Sequence, residues 1–423
     1  MKKIVFAAGI ILLAYVIADF LRTSSEKSAY SDNFAYSANS ATTTNTITSE
    51  IPGNSNNSIS SNSKASLSPE LSWHQYRGTP DLSAKVKKLP TGTLQPVWKF
   101  QTGAPIRSGA IVENGKVFFT NTKGQMGALE LNSGAKIWSK CLCETITSTP
   151  LYININDVPH IFFGTKKGYF TAINADSGEL LYKYKTGGNI NGGATYFRSG
   201  DQFKVLFGSY DSFLYCLEAA TGSESWKFET DNYINGTPAL SENKFILGGC
   251  DGILRGIATE TGKQVFSLDL GSYIPSSPVC EGNTAYIALH DNKIVAVDLA
   301  ASKILWKFEP EGKGEFLSPP AISENHIVAA DSSGRIFFLD KQTGKKSAAA
   351  NLSGKLESEP LVDNKNLIIA DLDGFIYCYN LQSADRLWRF VHGSPIAAPV
   401  AVIEQHLLIC DLDGNITLYR AQL

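Results

Sequence analysis

The sequence predicts an all-β chain, an eight-bladed β-propeller of four-stranded blades, and three registers between Trp98 and Leu423 carry that expectation. A β-branched or large apolar residue opens each of eight units, at Ile106, Ile146, Ile190, Ile234, Ile274, Phe316, Leu356 and Ile396. A tight-turn residue follows in step at Gly124, Gly168, Ser212, Gly252, Asn292, Gly334, Gly374 and Gly414. Ten residues beyond the first seven of these stands a second turn residue: Gly134, Gly178, Gly222, Gly262, Ser302, Gly344 and Ala384. Four residues later comes an aromatic at six of seven places, Trp138, Tyr182, Trp226, Phe266, Trp306 and Trp388, with Ala348 the exception. Units of 40 to 44 residues hold about four short strands each. No such sheet buries both its faces alone, so the units must pack side by side in a ring.

The ends of the array predict how the ring closes. The eighth unit reaches Leu423 before its second turn and last strand are due, while a spare strand, Pro96-Val97-Trp98-Lys99-Phe100, stands ahead of the first unit. Trp98 precedes Ile106 by eight residues, as Trp138 precedes Ile146 and Trp226 precedes Ile234. The N-terminal strand is therefore expected to complete the last blade, which joins the two chain ends by hydrogen bonds and removes strand edges that invite aggregation. The ring then forms one domain over 96–423.

Within blade seven, Asn366-Leu367-Ile368-Ile369-Ala370 and Phe375-Ile376-Tyr377-Cys378-Tyr379 flank the Asp-Gly turn at Asp373-Gly374, a strong hairpin signal. The segment Asp385 to Phe390 alternates polar and apolar residues, as an outer strand with one wet face does. Blades two and three gain residues around Asn156-Asp157-Val158-Pro159 and Arg198-Ser199-Gly200-Asp201, which are expected hairpin tips, and the link Glu309 to Gly314 is lengthened as well.

What precedes the ring differs in kind. Met1-Lys2-Lys3 followed by the apolar run Ile4 to Ala18 reads as an export signal, with positive charge ahead of the hydrophobic stretch. Residues 1–22 are either a signal peptide cleaved after Val16-Ile17-Ala18 or a signal anchor that stays in the inner membrane through residues 4–21. Both outcomes place the rest of the chain in the periplasm or cell envelope. No cysteine occurs before Cys141, which excludes a lipid-modified N-terminal cysteine. Residues 23–68, rich in Ser, Thr and Asn, cannot bury enough apolar surface to offset ordering entropy, and form a flexible linker with a reach of roughly 35 to 40 Å. Residues 69–95 are a lead-in to the ring.

Composition narrows the function classes. A net charge of −2 with acids and bases interspersed leaves no basic stripe, so nucleic acid is not an expected partner. The six histidines share no spacing, and neither a metal site nor a general base is assembled by the sequence. Asp371-Leu372-Asp373-Gly374 and Asp411-Leu412-Asp413-Gly414 resemble the start of a calcium loop, but they fall on the hairpin register without the later bidentate Glu, and are expected to be turns. The ring of tryptophans is expected to pack blade against blade. Seven scattered cysteines do not suggest a disulfide framework. In Cys141-Leu142-Cys143, residues two apart on a strand point the same way but bridge poorly, so both are expected to be semi-buried small apolar residues.

The cassette Leu214-Tyr215-Cys216-Leu217-Glu218-Ala219-Ala220-Thr221-Gly222-Ser223-Glu224-Ser225-Trp226 resembles the repeat of the pyrroloquinoline-quinone-like (PQQ-like) propellers, over about residues 96–423. Trp73-His74-Gln75-Tyr76-Arg77-Gly78 is similar to the Trp-x-x-Phe/Tyr-Arg-Gly lead-in found ahead of many such domains. The resemblance implies one of two branches: quinone-dependent alcohol and sugar dehydrogenases, or non-catalytic envelope proteins similar to BamB, which helps assemble outer-membrane β-barrels. The adjacent Cys-Cys pair of some of the dehydrogenases is missing here, as are the long insertions that supply calcium ligands and a catalytic Asp. The BamB-like branch has a lipid-attachment cysteine that this chain lacks. The expectation is a non-catalytic scaffold in the bacterial envelope, with other envelope proteins as partners and no cofactor; a PQQ-dependent dehydrogenase and a ligand-sensing propeller that uses its axial channel are the alternatives. Partners are expected on the face that carries the links between blades, at Tyr233, Tyr273 and Phe316, where Tyr233 and Tyr273 occupy matching places one residue before an opening Ile.

Overall fold

Eight antiparallel sheets of four strands succeed one another along the chain, and the innermost strands of blades one and two, and of blades four to seven in turn, lie in contact, as in the expected propeller. The computed structural model describes residues 72–422, so the predicted signal segment, the linker and the first residues of the lead-in lie outside the described residues. Among the described residues there is no helix.

Each blade follows the same physical logic. Its second and third strands carry continuous apolar runs because both faces meet other blades; in blade seven these are Asn366–Ala370 and Phe375–Asn380, buried except at their outer ends. The fourth strand, Arg386–Val391, keeps Trp388 and Phe390 half-buried and exposes Leu387 and Val391. The eight opening apolar residues are all buried, and most tie their link to the preceding blade: Ile106 N donates to Asp411 O, Ile234 N to Ser209 O, Ile396 N to Asp371 O. The insertions of blades two and three are hairpin tips, with Asn156 and Asp157 between Leu151–Ile155 and Val158–Gly164, and Gly200-Asp201 between Thr195–Ser199 and Gln202–Gly208.

Every residue of the two turn registers has positive φ, whichever side chain occupies it. Ser212, Asn292, Ser302 and Ala384 take φ of 71°, 63°, 51° and 57° where the other blades use glycine. The second register shows why glycine prevails. The aromatic of one blade lies flat against the second turn of the next, where a Cβ on Gly134, Gly178, Gly222, Gly262 or Gly344 would come within 2.4 to 2.7 Å of the ring of Trp98, Trp138, Tyr182, Trp226 or Trp306. The same aromatics donate to a carbonyl just before that turn: Trp138 Nε1 to Ala175 O at 2.9 Å, Tyr182 Oη to Ala219 O at 2.9 Å, Trp226 Nε1 to Thr259 O at 3.1 Å, Trp306 Nε1 to Lys341 O at 3.0 Å. The two second turns without glycine differ, since Ser302 faces the aromatic Phe266 by register. Ala348 stands where an aromatic should be, and the turn residue it faces by register, Ala384, is the one that carries a methyl group.

The ring closes as the registers require. Thr93–Gln101 lies antiparallel along Asn415–Gln422, with Trp98 opposite Leu418 and a bulge between Pro96 and Trp98. This strand starts three residues earlier than the sequence suggests, and Pro96, which has no N–H to donate, sits on the outer edge where none is needed. Trp98 serves the eighth blade as its docking aromatic: its Nε1 donates to Leu131 O at 2.8 Å and its ring covers Gly134. Trp388 faces the eighth blade, which has no second turn among the described residues, and its buried Nε1 has no acceptor.

Three outcomes test this account by the midpoint of denaturant unfolding. Gly222→Ala is expected to destabilise by about 1–3 kcal/mol, because a methyl at φ 75° meets the Tyr182 ring at 2.5 Å. Ala384→Gly is expected to be neutral or stabilising by up to about 1 kcal/mol, since it relieves a left-handed alanine with no ring to accommodate. Trp98→Ala is expected to cost about 2–3 kcal/mol and to promote concentration-dependent association through the loosened edge of the eighth blade.

Candidate functional site

The lead-in segment closes one end of the axial channel. From Trp73 to Val86 it runs across the innermost strands, pairing with blade after blade: Trp73 with Val112, then Tyr152 N to His74 O, Leu240 N to Pro80 O, Cys280 N to Asp81 O, Ile322 N to Ser83 O, and Val362 N to Ala84 O. Arg77, Leu82 and Ala84 hold φ of 57°, 59° and 53° along this strap, a conformation that persists only where the surroundings over-determine it. Arg77 supplies that determination. Its buried guanidinium donates to Leu82 O at 2.6 Å, to Pro320 O at 2.5 Å and to Glu359 at 2.9 Å, so one charge fastens the strap to blades six and seven.

Above the strap lies a cavity of about 210 Å³ lined by all eight blades and floored by Tyr76. Its lining comes from the residues just after each opening apolar residue, among them Arg107, Thr147, Asn191, Asn235, Ser276 and Glu357. The two carboxylates are already engaged: Glu359 by Arg77 and the Tyr76 hydroxyl, Glu357 by Arg107 at 2.8 Å. Burial, followed by the Glu359 charge, pushes the Tyr76 phenol well above its usual range, so it remains a hydrogen-bond donor. Thr147 Oγ1 and Ser276 Oγ are buried there without a hydrogen-bond partner in the protein. Arg77, Tyr76 and Glu359 were not legible as a site in the sequence, because nothing in the repeat indicates which residues face the axis.

The predicted partner-binding residues separate into two groups. Tyr233 and Tyr273 are 40% and 49% exposed on consecutive links of the expected face. Tyr233 stacks on Tyr210 with ring centroids 5.1 Å apart and planes 2° apart, and Tyr273 lies 6.1 Å from the His290 ring. Phe316 corrects the expectation: it is fully buried, packed edge-on against Phe337, because it fills the opening core position of its blade and the lengthened link ahead of it does not carry it outward. Arg335 holds that link instead, donating to Glu311 O while paired with Asp331.

Other motifs resolve as follows. The acidic turns act as turns, since Asp371 accepts from the amides of Asp373 and Phe375, and Asp411 from that of Asn415. The structure gives His392 partners that its sequence position did not reveal: from the link that leaves blade seven, its Nε2 meets Asp411 at 2.9 Å and its Nδ1 the Tyr419 hydroxyl at 2.8 Å, both in blade eight. Cys141 and Cys143 are exposed, not semi-buried, and their Sγ atoms lie 3.0 Å apart, because the backbone leaves the strand after Cys141 and turns at Cys143 with φ 56°. Among the described residues no cluster of three or more His, Cys, Asp and Glu is placed to hold a metal ion.

A sequence profile described as outer membrane protein assembly factor BamB matches residues 84–195, 166–315 and 300–422, nearly the whole ring. The chain belongs to this family of PQQ-like repeat propellers. A search of curated proteins found no match. Among solved structures, family resemblance in fold extends to BamB from Moraxella catarrhalis, with a TM-score of 0.64 and 16% identity over 78% of this chain and 98% of that one. It extends equally to the quinohemoprotein alcohol dehydrogenase from Comamonas testosteroni (TM-score 0.68, 9% identity, 82% of this chain and 80% of that one). A europium-containing methanol dehydrogenase gives 0.67 with 11% identity over 84% and 98% of the two chains. One fold thus serves an assembly factor and enzymes alike, and the use of this ring must be argued from its surfaces.

The His392–Asp411 contact makes a pH-dependent prediction. Burial pushes the Asp411 carboxyl up, but hydrogen bonds from His392 and from the amide and side chain of Asn415 outweigh it and hold the group below the usual aspartate range. A depressed folded-state pKa stabilises the fold above the unfolded value of about 3.9, and that stability is lost as pH falls through the folded one. Asp411→Asn is expected to lower stability at pH 7 by about 1–3 kcal/mol and to flatten the acid limb of the stability curve below about pH 4. An unchanged acid limb in unfolding measurements from pH 2 to 7 would refute the assignment.

Proposed function

We propose that this propeller is a non-catalytic protein-binding scaffold of the bacterial cell envelope, with a role in outer-membrane protein assembly like that of the family's namesake. The observation that carries the reading is the pair of exposed aromatics on adjacent links, Tyr233 braced against Tyr210 and Tyr273 beside His290. Rigid, half-exposed tyrosines present apolar area with little conformational entropy left to lose, as interface anchors do. Three further observations support it. The family profile covers the ring; Lys2 and Lys3 ahead of the apolar run Ile4 to Ala18 favour export with the ring on the periplasmic side; and the axial cavity, about 210 Å³ with both carboxylates engaged by arginines, falls below the roughly 300–1,000 Å³ of small-molecule sites.

The test combines a surface variant with the rival chemistry. In cells expressing the full chain, cross-linking followed by capture should recover an envelope protein partner, and Tyr233→Ala/Tyr273→Ala should cut that capture by about tenfold or more while the unfolding midpoint stays unchanged. Unchanged capture would remove the tyrosines from the interface. Tight stoichiometric binding of pyrroloquinoline quinone with calcium, accompanied by dye-linked alcohol oxidation, would replace the scaffold reading with the dehydrogenase one. N-terminal sequencing with membrane fractionation tests the location: Met1 in the membrane pellet means an anchor, a start at Asp19 in the periplasmic fraction a cleaved signal, and an intact Met1 in the cytoplasm overturns the envelope assignment.

A further inference from the structure

The link between blades one and two carries two sulfurs that neither the ring nor the binding face requires. Links leaving the outer strands share one hydrogen bond, from the amide of a middle residue to the carbonyl of the same blade's first turn: Leu142 N to Gly124 O at 2.9 Å, and likewise Thr186 to Gly168, Leu270 to Gly252 and His392 to Gly374. The bond fixes which positions are equivalent. Cys143 stands where two other links place Gly271 and Gly393 and where the strand that closes the ring places Gly103, while Gly187, Asp231 and Ser353 hold the same place without positive φ. Gly103, Gly271 and Gly393 take φ of 82°, 77° and 92°, and Cys143 takes 56°. A cysteine therefore occupies a left-handed position that glycine fills at Gly103, Gly271 and Gly393.

The geometry brings the two thiols together. Leu142 packs with Trp138 against the core between blades one and two, which leaves the cysteines on either side of it exposed. The left-handed turn brings Cys143 back over Cys141, so their sulfurs lie 3.0 Å apart, about 1 Å beyond a disulfide bond, and the Cys143 amide donates to Cys141 Sγ at 3.2 Å. The other five cysteines are buried, and burial pushes their thiols up, Cys250 to about 11 and Cys216, Cys378 and Cys410 to about 12. Only the exposed pair is both reachable and paired. We propose that Cys141 and Cys143 form a dithiol–disulfide exchange site that acts on an exposed disulfide of another polypeptide.

The exchange runs in two displacements. The Cys141 thiolate attacks one sulfur of R–S–S–R′, forms Cys141–S–S–R and expels R′S⁻. Cys143 then gives up its proton, attacks the Cys141 sulfur, closes Cys141–S–S–Cys143 and expels RS⁻. The pair loses two electrons, the partner's disulfide gains them, and the two thiol protons end on RSH and R′SH. Hydrogen bonding to Cys141 and its charge push the Cys143 thiol up, against the pull of Lys167, so Cys143 keeps its proton through the first displacement as a resolving thiol does. A bridge across a single intervening residue, exposed at the surface, belongs to the labile class of disulfides that exchange readily.

The test uses the purified full chain and oxidised glutathione as the disulfide. The wild type is expected to lose two hydrogens and show, by alkylation and peptide mapping, one bridge within the peptide that contains Cys141 and Cys143. Cys143→Gly, which installs the residue used by other links, should fold with an unfolding midpoint at or above that of the wild type and accumulate one glutathione on Cys141. Cys141→Ser provides a second variant, expected to form no bridge. Two glutathiones on the wild type, a bridge to any other cysteine, or a pair that stays reduced in excess oxidised glutathione would overturn the proposal.

Discussion

The structure depends on a flat ring laid against a turn that has no Cβ. Each blade is a sheet with two apolar faces, and what orients one blade on the next is the aromatic of its outer strand, which covers the second turn of its neighbour and donates to a carbonyl beside it. A left-handed glycine satisfies both demands at once, since it makes the turn and clears the space the indole occupies. Where the aromatic is lost, at Ala348, the glycine is lost too, at Ala384, although Ser302 stands without glycine opposite Phe266. At Ala384 the steric reason for glycine disappears with the ring that would have imposed it. The N-terminal strand enters the same scheme: Trp98 completes the set of docking aromatics as well as the last sheet, so the two ends of the chain are joined by side-chain packing in addition to the backbone ladder.

A closed ring leaves an axial hole, and this chain fills one end of it with its own lead-in. The strap crosses the inner strands with its carbonyls as acceptors and is fastened by Arg77, whose burial is offset by Glu359 and three backbone carbonyls. A buried guanidinium left without Glu359 would be costly, so this pair fixes the strap's position more than it adds net stability. The consequence for function is geometric. With one end closed and the cavity's carboxylates paired with arginines, Tyr233, Tyr273 and the Cys141–Cys143 pair lie exposed at connections between blades.

The repeat made the architecture readable from the chain alone. Blade count, turn positions, closure by the strand around Trp98 and the packing role of the tryptophans follow from spacing, because each is a local rule repeated until chance is excluded. The sites were less legible. The exposure of Tyr233 and Tyr273 follows from matching positions on consecutive links, whereas Phe316, expected on the same surface by its proximity in sequence, holds the buried opening position of its blade. The partners of His392 lie on another strand and turn, and the contact of Arg77 with Glu359 spans most of the chain, so no spacing announces either.

The sequence by itself determined the eight-bladed ring, the left-handed turns and the strand that closes them, since period-two burial and turn stereochemistry are properties of a few neighbouring residues. Only the tertiary structure decided which residues share the axis, which aromatics remain at the surface and how two cysteines meet. Those outcomes depend on where the chain leaves one blade for the next. At Cys143 a change in one backbone angle, from extended to left-handed, turned two residues expected to be semi-buried on a strand into an exposed pair of sulfurs in contact.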